Sequence, residues 1–162
     1  MDRKIALGLP KGSLERTTLE LFARAGWQIN VSSRNYFPDI DDAEIKCSMV
    51  KAKEMAHYVA NGTIDVGLTG KDWCVEYNSR VIVVDDFIYS KASYRPARWV
   101  LAVGGDSPYQ KPEDLAGKKV ATELVSVTRQ WFKEKGIDVE VIFSWGATEA
   151  KVAAGLADAV VE

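Results

Sequence analysis

The chain has 162 residues, with 21 lysines and arginines against 23 aspartates and glutamates, a formal net charge of −2 and 47% apolar residues. That length supports one ordinary domain or two small lobes with a real core, and its interspersed charge argues against the basic face that nucleic-acid binding requires. No apolar run approaches the length of a membrane span, and Met1-Asp2-Arg3-Lys4 leads directly into a strand pattern instead of a secretory leader.

Lys4 to Leu9 is a short apolar run ended by Pro10 and reads as a buried strand. After Lys11-Gly12-Ser13, the residues Leu14, Thr18, Leu21, Phe22 and Ala25 recur at helical spacing, with Ser13 as N-cap and Gly26 as the stop. Trp27 to Val31 alternates like a strand, Asp39 to Asp42 reads as a turn, and Glu44 to Val50 as the next strand. A helix over Lys53 to Ala60 and a buried strand over Asp65 to Leu68 follow. Strands alternating with helices in this way predict an α/β fold of mainly parallel sheets flanked by helices.

The second half replays the first. After a hinge near Tyr94-Arg95-Pro96-Ala97, the pattern predicts a strand over Arg98 to Val103, one helical turn at Pro112 to Leu115 and a strand over Lys119 to Thr122. A helix over Ser126 to Lys135 stops at Gly136; a strand over Val139 to Phe143, a helix over Thr148 to Ala154 and a strand over Asp158 to Val161 complete the series. Val59-Ala60-Asn61-Gly62-Thr63-Ile64-Asp65-Val66 and Val152-Ala153-Ala154-Gly155-Leu156-Ala157-Asp158-Ala159 are nearly the same phrase. Two generic β-α-β units sharing a rhythm are the plain alternative to a true duplication. The matching glycine-to-aspartate spacing favours two lobes, residues 1–94 and 95–162, facing a cleft.

Cys47 and Cys74 sit in apolar surroundings without metal-ligand spacing and read as reduced thiols of a cytosolic protein. His57 is the sole histidine, which leaves no His-rich metal site. In open parallel sheets ligands bind beyond the carboxyl ends of strands. The segments leaving those ends are Leu9 to Ser13, Leu68 to Asp72, Thr122 to Ser126 and Phe143 to Glu149. Lys11-Gly12-Ser13 offers backbone N–H groups and an ammonium before a helix, either a phosphate site or an ordinary solvated helix start. Arg34 follows a strand and is either a bidentate polyphosphate clamp or a surface arginine. Lys51 is placed to face a cleft, whereas Lys53 reads as helix surface. Ser144-Trp145-Gly146-Ala147-Thr148-Glu149 suits either close approach of a ligand or a core tryptophan with a first-turn glutamate. With no P-loop, dinucleotide fingerprint or carboxylate dyad, the local signals stop at a two-lobed binder of something anionic.

Three stretches together carry a more specific message: Leu9 to Leu14, Tyr58 to Asp72 and Ser144 to Glu149. They resemble ATP phosphoribosyltransferase, the first enzyme of histidine biosynthesis, and the resemblance extends over essentially the whole chain. It implies a two-lobed fold like that of bacterial solute-binding proteins. It also implies phosphoribosyl transfer from phosphoribosyl pyrophosphate to N1 of ATP, with substrate-bound Mg²⁺ and release of pyrophosphate. By this resemblance Lys11, Gly12, Ser13, Gly70, Lys71 and Asp72 bind ATP or polyphosphate, and Arg34 and Lys51 act in catalysis on the phosphate oxygens. Glu149 and Asp158 contact a ribose or a metal-bound water, and no side chain ligates the metal directly. A cytoplasmic homo-oligomer with a regulatory domain or subunit is expected. The Thr-Gly-rich loop that follows Asp-x-Val-Val-Glu-like residues in the family has no counterpart up to Glu162, nor does the strand that returns to the first lobe. The 162 residues are therefore expected to be a fragment without turnover of its own. A solute-binding or sensor module is the alternative function, and a silent regulatory paralogue a third.

Overall fold

The computed structural model describes residues 3–32, 35–88 and 96–162. The chain forms two compact units, Met1–Ala97 and Arg98–Glu162. The expected division at 94/95, with hinge residues Tyr94 and Arg95, lies outside the described residues.

In unit 1, β1 (Ile5–Lys11), β4 (Ile45–Lys51) and β5 (Val66–Gly67) form a parallel sheet in the order β4-β1-β5. Alternation along β1 sends Leu7 and Leu9 into a core with Cys47 and Met49, against which Phe22 of helix α1 (Glu15–Arg24) packs. Gly8 points to the other face. A Cβ at Gly8 would stand 2.3 Å from Met55 Sδ and one at its register partner Gly67 2.5 Å from the same atom. The glycine pair thus makes the hollow into which helix α2 (Ala52–Ala60) lowers the fully buried Met55.

Several local expectations shift. Helix α1 starts at Glu15 behind Leu14 with no side-chain cap, so Ser13 is not its N-cap. The Glu15 carboxylate instead accepts the Gly12 N–H at 3.3 Å. Asp39–Ile40, read as part of a turn, is strand β3, antiparallel to the short β2 (Ile29–Asn30) in a separate ribbon. Local side-chain bonds stabilise that ribbon: Asp41 Oδ1 accepts the Gln28 N–H at 2.8 Å, and Trp27 Nε1 donates to Asp42 Oδ2 at 3.1 Å. Lys71 and Asp72, expected in the segment leaving β5, instead begin helix α3 (Lys71–Glu76). After it, residues 81–88 carry no regular structure, and Ile82 and Val84 are 90% and 83% exposed.

Unit 2 holds β6 (Leu101–Ala102), β7 (Lys119–Thr122), β8 (Glu140–Phe143) and β9 (Ala159–Val161) in the order β6-β9-β7-β8, with β6 antiparallel. Helices α4 (Val125–Glu134) and α5 (Ala150–Ala153) connect them, after a 3₁₀ turn at Pro112–Leu115. Leu115, Val120, Phe132, Ile137 and Ala159 form the core on one side. The strand expected over Arg98 to Val103 is shorter, because an edge strand gains pairing only where β9 runs beside it.

The duplicated phrase folds alike in both units. Gly62 and Gly155 sit at φ 78° and 68°, and the Ile64 and Ala157 N–H groups return to the Tyr58 and Lys151 carbonyls. Asp65 exchanges backbone N–H for the Ala6 carbonyl at 2.9 Å, and its Oδ2 accepts the Ala6 N–H at 2.9 Å. Asp158 does the same with Lys119, again at 2.9 Å for both bonds. The second phrase copies a structural knot. Among the described residues no helix is long and apolar enough to cross a membrane.

Candidate functional site

In unit 1 the strands β1 and β4 end in step, with Lys11 and Lys51 as register partners. Adjacent strands lie about 4.8 Å apart, so two ammonium stems leave one sheet edge side by side. Among the described residues neither lysine joins a salt bridge. Lys11 Nζ lies 3.9 Å from the centroid of the Tyr36 ring, a cation–π contact that holds its stem. Lys51 is the N-cap residue of α2 and is exposed. Two positive charges leaving one sheet edge favour an anion there.

The third strand of the sheet adds the segment after β5. Thr69 Oγ1 donates to the Ala52 carbonyl at 2.6 Å and pins this loop against the start of α2. A Cβ at Gly70 would stand 2.0 Å from Asp72 Oδ1, so any side chain there would displace that carboxylate. That carboxylate folds back onto its own helix start, accepting the Trp73 N–H at 3.0 Å. Lys71 pairs with Asp86. Lys11, Lys51 and the Gly70 turn thus leave the carboxyl edge of one sheet, whereas Lys71 and Asp72 are engaged with protein groups. Gly12, at φ 99°, places its N–H in the turn after β1, where Glu15 occupies it. Ser13 is exposed in this turn. Arg34 lies outside the described residues.

Unit 2 carries the opposite charge at its strand ends. Glu123 follows β7, Glu149 starts α5 after β8, and Glu162 follows β9. Partial burial, and next the Glu149 carboxylate, push the Glu162 carboxyl above the ordinary glutamate range; Glu149 also hydrogen-bonds to it, and Glu123 adds like charge. The loop beneath them is anchored by buried Ser144. Its N–H donates to the Thr122 carbonyl at 2.8 Å, its Oγ to the Gly146 carbonyl at 3.3 Å, and it accepts from Thr148 Oγ1 at 3.0 Å. Trp145 stands 85% exposed on this loop, so it is not a core tryptophan.

Asp158 is at the other end of the sheet. It precedes β9, and beyond its bonds to Lys119 its Oδ1 accepts the Tyr109 hydroxyl at 3.4 Å. Its Oδ2 thus joins β9 to β7, and its Oδ1 is held by the Tyr109 hydroxyl. Tyr36, Glu15, Glu123 and Glu162 are the site neighbours the sequence reading did not single out. Glu123 and Glu162 carried a usable signal, since each directly follows an apolar strand. Among the described residues no group of three His, Cys, Asp or Glu side chains is arranged to hold a metal ion.

The sequence profile described as ATP phosphoribosyltransferase matches residues 51–162. The ATP phosphoribosyltransferase of Desulfatibacillum aliphaticivorans is 65% identical over 162 residues, covering 100% of this chain and 56% of that protein. The chain thus spans about half the length of the curated relatives it matches. Among solved structures, the ATP phosphoribosyl transferase (HisG:HisZ) complex from Thermotoga maritima superimposes with a TM-score of 0.76 at 26% identity, over 98% of this chain and 73% of that one. The periplasmic aliphatic sulphonate binding protein SsuA from Escherichia coli gives 0.52 at 22% identity, over 99% and 54%. That second likeness shows the fold class, α/β of the periplasmic-binding-protein kind.

Proposed function

The chain belongs to the ATP phosphoribosyltransferase family, and on that premise we propose that it serves the transfer of a phosphoribosyl group from phosphoribosyl pyrophosphate to N1 of ATP, the first step of histidine biosynthesis. The observation that carries this reading is the paired ending of β1 and β4, which brings Lys11 and Lys51 to one sheet edge. In the reaction the N1 lone pair forms a bond to C1 of the sugar while the C1–oxygen bond breaks and pyrophosphate departs with its electrons. Adenine N1 is a weak nucleophile and the sugar becomes oxocarbenium-like, so catalysis rests on alignment and on positive charge at the leaving group.

Lys11 and Lys51 supply that charge, and the Gly12 N–H joins them once Glu15 releases it. Ser13 adds a hydroxyl, and the Gly70 turn presents backbone close to a phosphate. Lys71 and Asp72 contribute on exchanging their present partners. Arg34 has the clamp role that the family resemblance assigns. Glu149 suits a ribose hydroxyl or a water held by Mg²⁺, since both donate hydrogen bonds that a carboxylate accepts. Mg²⁺ carried on the substrate phosphates offsets charge on the departing pyrophosphate. The reading extends to a cytoplasmic homo-oligomer with a regulatory domain or partner subunit.

Calorimetric titration of the chain with ATP and with phosphoribosyl pyrophosphate, each with Mg²⁺, tests the proposal. Saturable binding of either, lost in Lys11→Ala/Lys51→Ala, is expected. Tight binding of an amino acid or small inorganic ion with no response to either substrate would establish the solute-binding alternative.

A further inference from the structure

Among the described aromatic side chains of unit 2, Trp145 is the most exposed. In the extended run through the end of β8, side chains alternate. Ser144 turns inward and is fully buried, while Phe143 and Trp145 turn outward at 43% and 85% exposure. The two outward rings meet edge to face, centroids 4.7 Å apart with planes at 83°. Phe143 therefore braces the indole from one side while the residue stays largely accessible to solvent.

The support is stiff. Ser144 is tied to β7 through the Thr122 carbonyl and to α5 through Thr148, and the chain leaves Trp145 through Gly146 at φ 115° and Ala147 at φ 48°. A non-glycine residue in the left-handed region needs support from its surroundings, and here the Ser144–Thr148 bond supplies it.

Charge around the ring selects what can settle on it. Glu123 Oε1 would lie 3.8 Å from a Cβ at Gly146, and Glu149 and Glu162 lie at the same strand ends. Carboxylates repel phosphate but accept hydrogen bonds from ribose hydroxyls and an exocyclic amine. Of the two substrates in the proposed reaction, only ATP has a flat π face. We propose that Trp145, braced by Phe143, is the stacking platform for the purine ring of ATP, with the neighbouring carboxylates turning the polyphosphate away from it. This assignment rests on the function proposed above and names a positioning and specificity residue for it.

The test compares ATP with inorganic triphosphate as ligands of the chain, by calorimetry and by indole fluorescence, in Trp145→Ala and Trp145→Phe, with thermal melting to verify folding. Trp145→Ala is expected to weaken ATP about tenfold while leaving triphosphate unchanged, and Trp145→Phe to retain most of the affinity. ATP should quench indole emission in the unsubstituted chain and much less in Trp145→Phe. Equal loss for both ligands, or ATP affinity indifferent to Trp145→Ala, would overturn the platform. Failure of the unsubstituted chain to bind ATP at all would overturn the proposed function and this assignment with it, a result readily told apart from the former.

Discussion

The two units share one skeleton and differ at its edge. Unit 1 and unit 2 each lay a helix, a glycine stop and an aspartate onto a parallel strand, and in each the aspartate makes the same pair of backbone bonds, to Ala6 and to Lys119. At the carboxyl ends the chemistry diverges: Lys11 and Lys51 in unit 1, Glu123, Glu149 and Glu162 in unit 2. Duplication therefore explains the scaffold, and the residues just past each strand explain the division of labour. One edge suits phosphate, the other suits hydroxyls and an amine.

The largest effects should come from the parts the units build differently inside. Phe132→Ala removes a fully buried ring from unit 2 and should cost about 3–5 kcal/mol in urea unfolding. Met55→Ala in unit 1 should cost about 2–5 kcal/mol. Because Met55 fills the hollow over Gly8 and Gly67, Gly67→Ala alone should destabilise by about 1–3 kcal/mol yet partly relieve Met55→Ala. Strictly additive losses would mean the sulfur does not occupy that hollow.

Exchanging charge at the edges sharpens the contrast next. Loss of one phosphate contact in Lys51→Ala should weaken ATP binding by about 1.5–3 kcal/mol, whereas Glu149→Gln should leave inorganic triphosphate binding unchanged or slightly stronger. Comparable weakening in both would erase the proposed division. A smaller effect concerns the shared aspartates. Asp65→Ala and Asp158→Ala should each cost about 1–3 kcal/mol of stability, and Asp158→Ala should leave ligand affinity in place in calorimetry. A selective loss of affinity there would restore Asp158 to the ligand site.

The smallest effect is one of pH. Asp114 accepts the Gln110 N–H at 2.9 Å and, more weakly, that of Lys111, and these bonds hold its carboxyl below the ordinary aspartate range. A carboxyl depressed in the folded state stabilises it above the unfolded value, and that contribution disappears as pH falls through the folded one. Asp114→Asn should therefore lower the melting temperature of unit 2 slightly near pH 7, where the ionised carboxylate contributes in full, and flatten its decline as pH falls below the ordinary aspartate range.

Much of this architecture was legible from residue pattern. The glycine stops at Gly26 and Gly136 behave alike, each with the following N–H returned to the Phe22 or Phe132 carbonyl. The parallel rhythm and the repeat follow from periodicity, which reports burial. What periodicity cannot report is pairing between distant short segments, hence the unexpected Ile29–Asn30 ribbon with Asp39–Ile40. Nor can it tell a structural aspartate from a ligand-facing one: Asp158 reads the same either way until the strand direction is known. Trp145 left both readings open in the sequence, and only its exposure separates them.

Residues 81–88 carry one last consequence. Val81-Ile82-Val83-Val84 is a β-prone apolar run, displayed to solvent and followed at once by Asp85 and Asp86. Such a run has the composition of an aggregation-prone segment, and an acidic pair beside it is placed as a gatekeeper. Replacing both aspartates with asparagine should turn a well-behaved preparation turbid, making this acidic pair a determinant of how long the polypeptide remains dispersed.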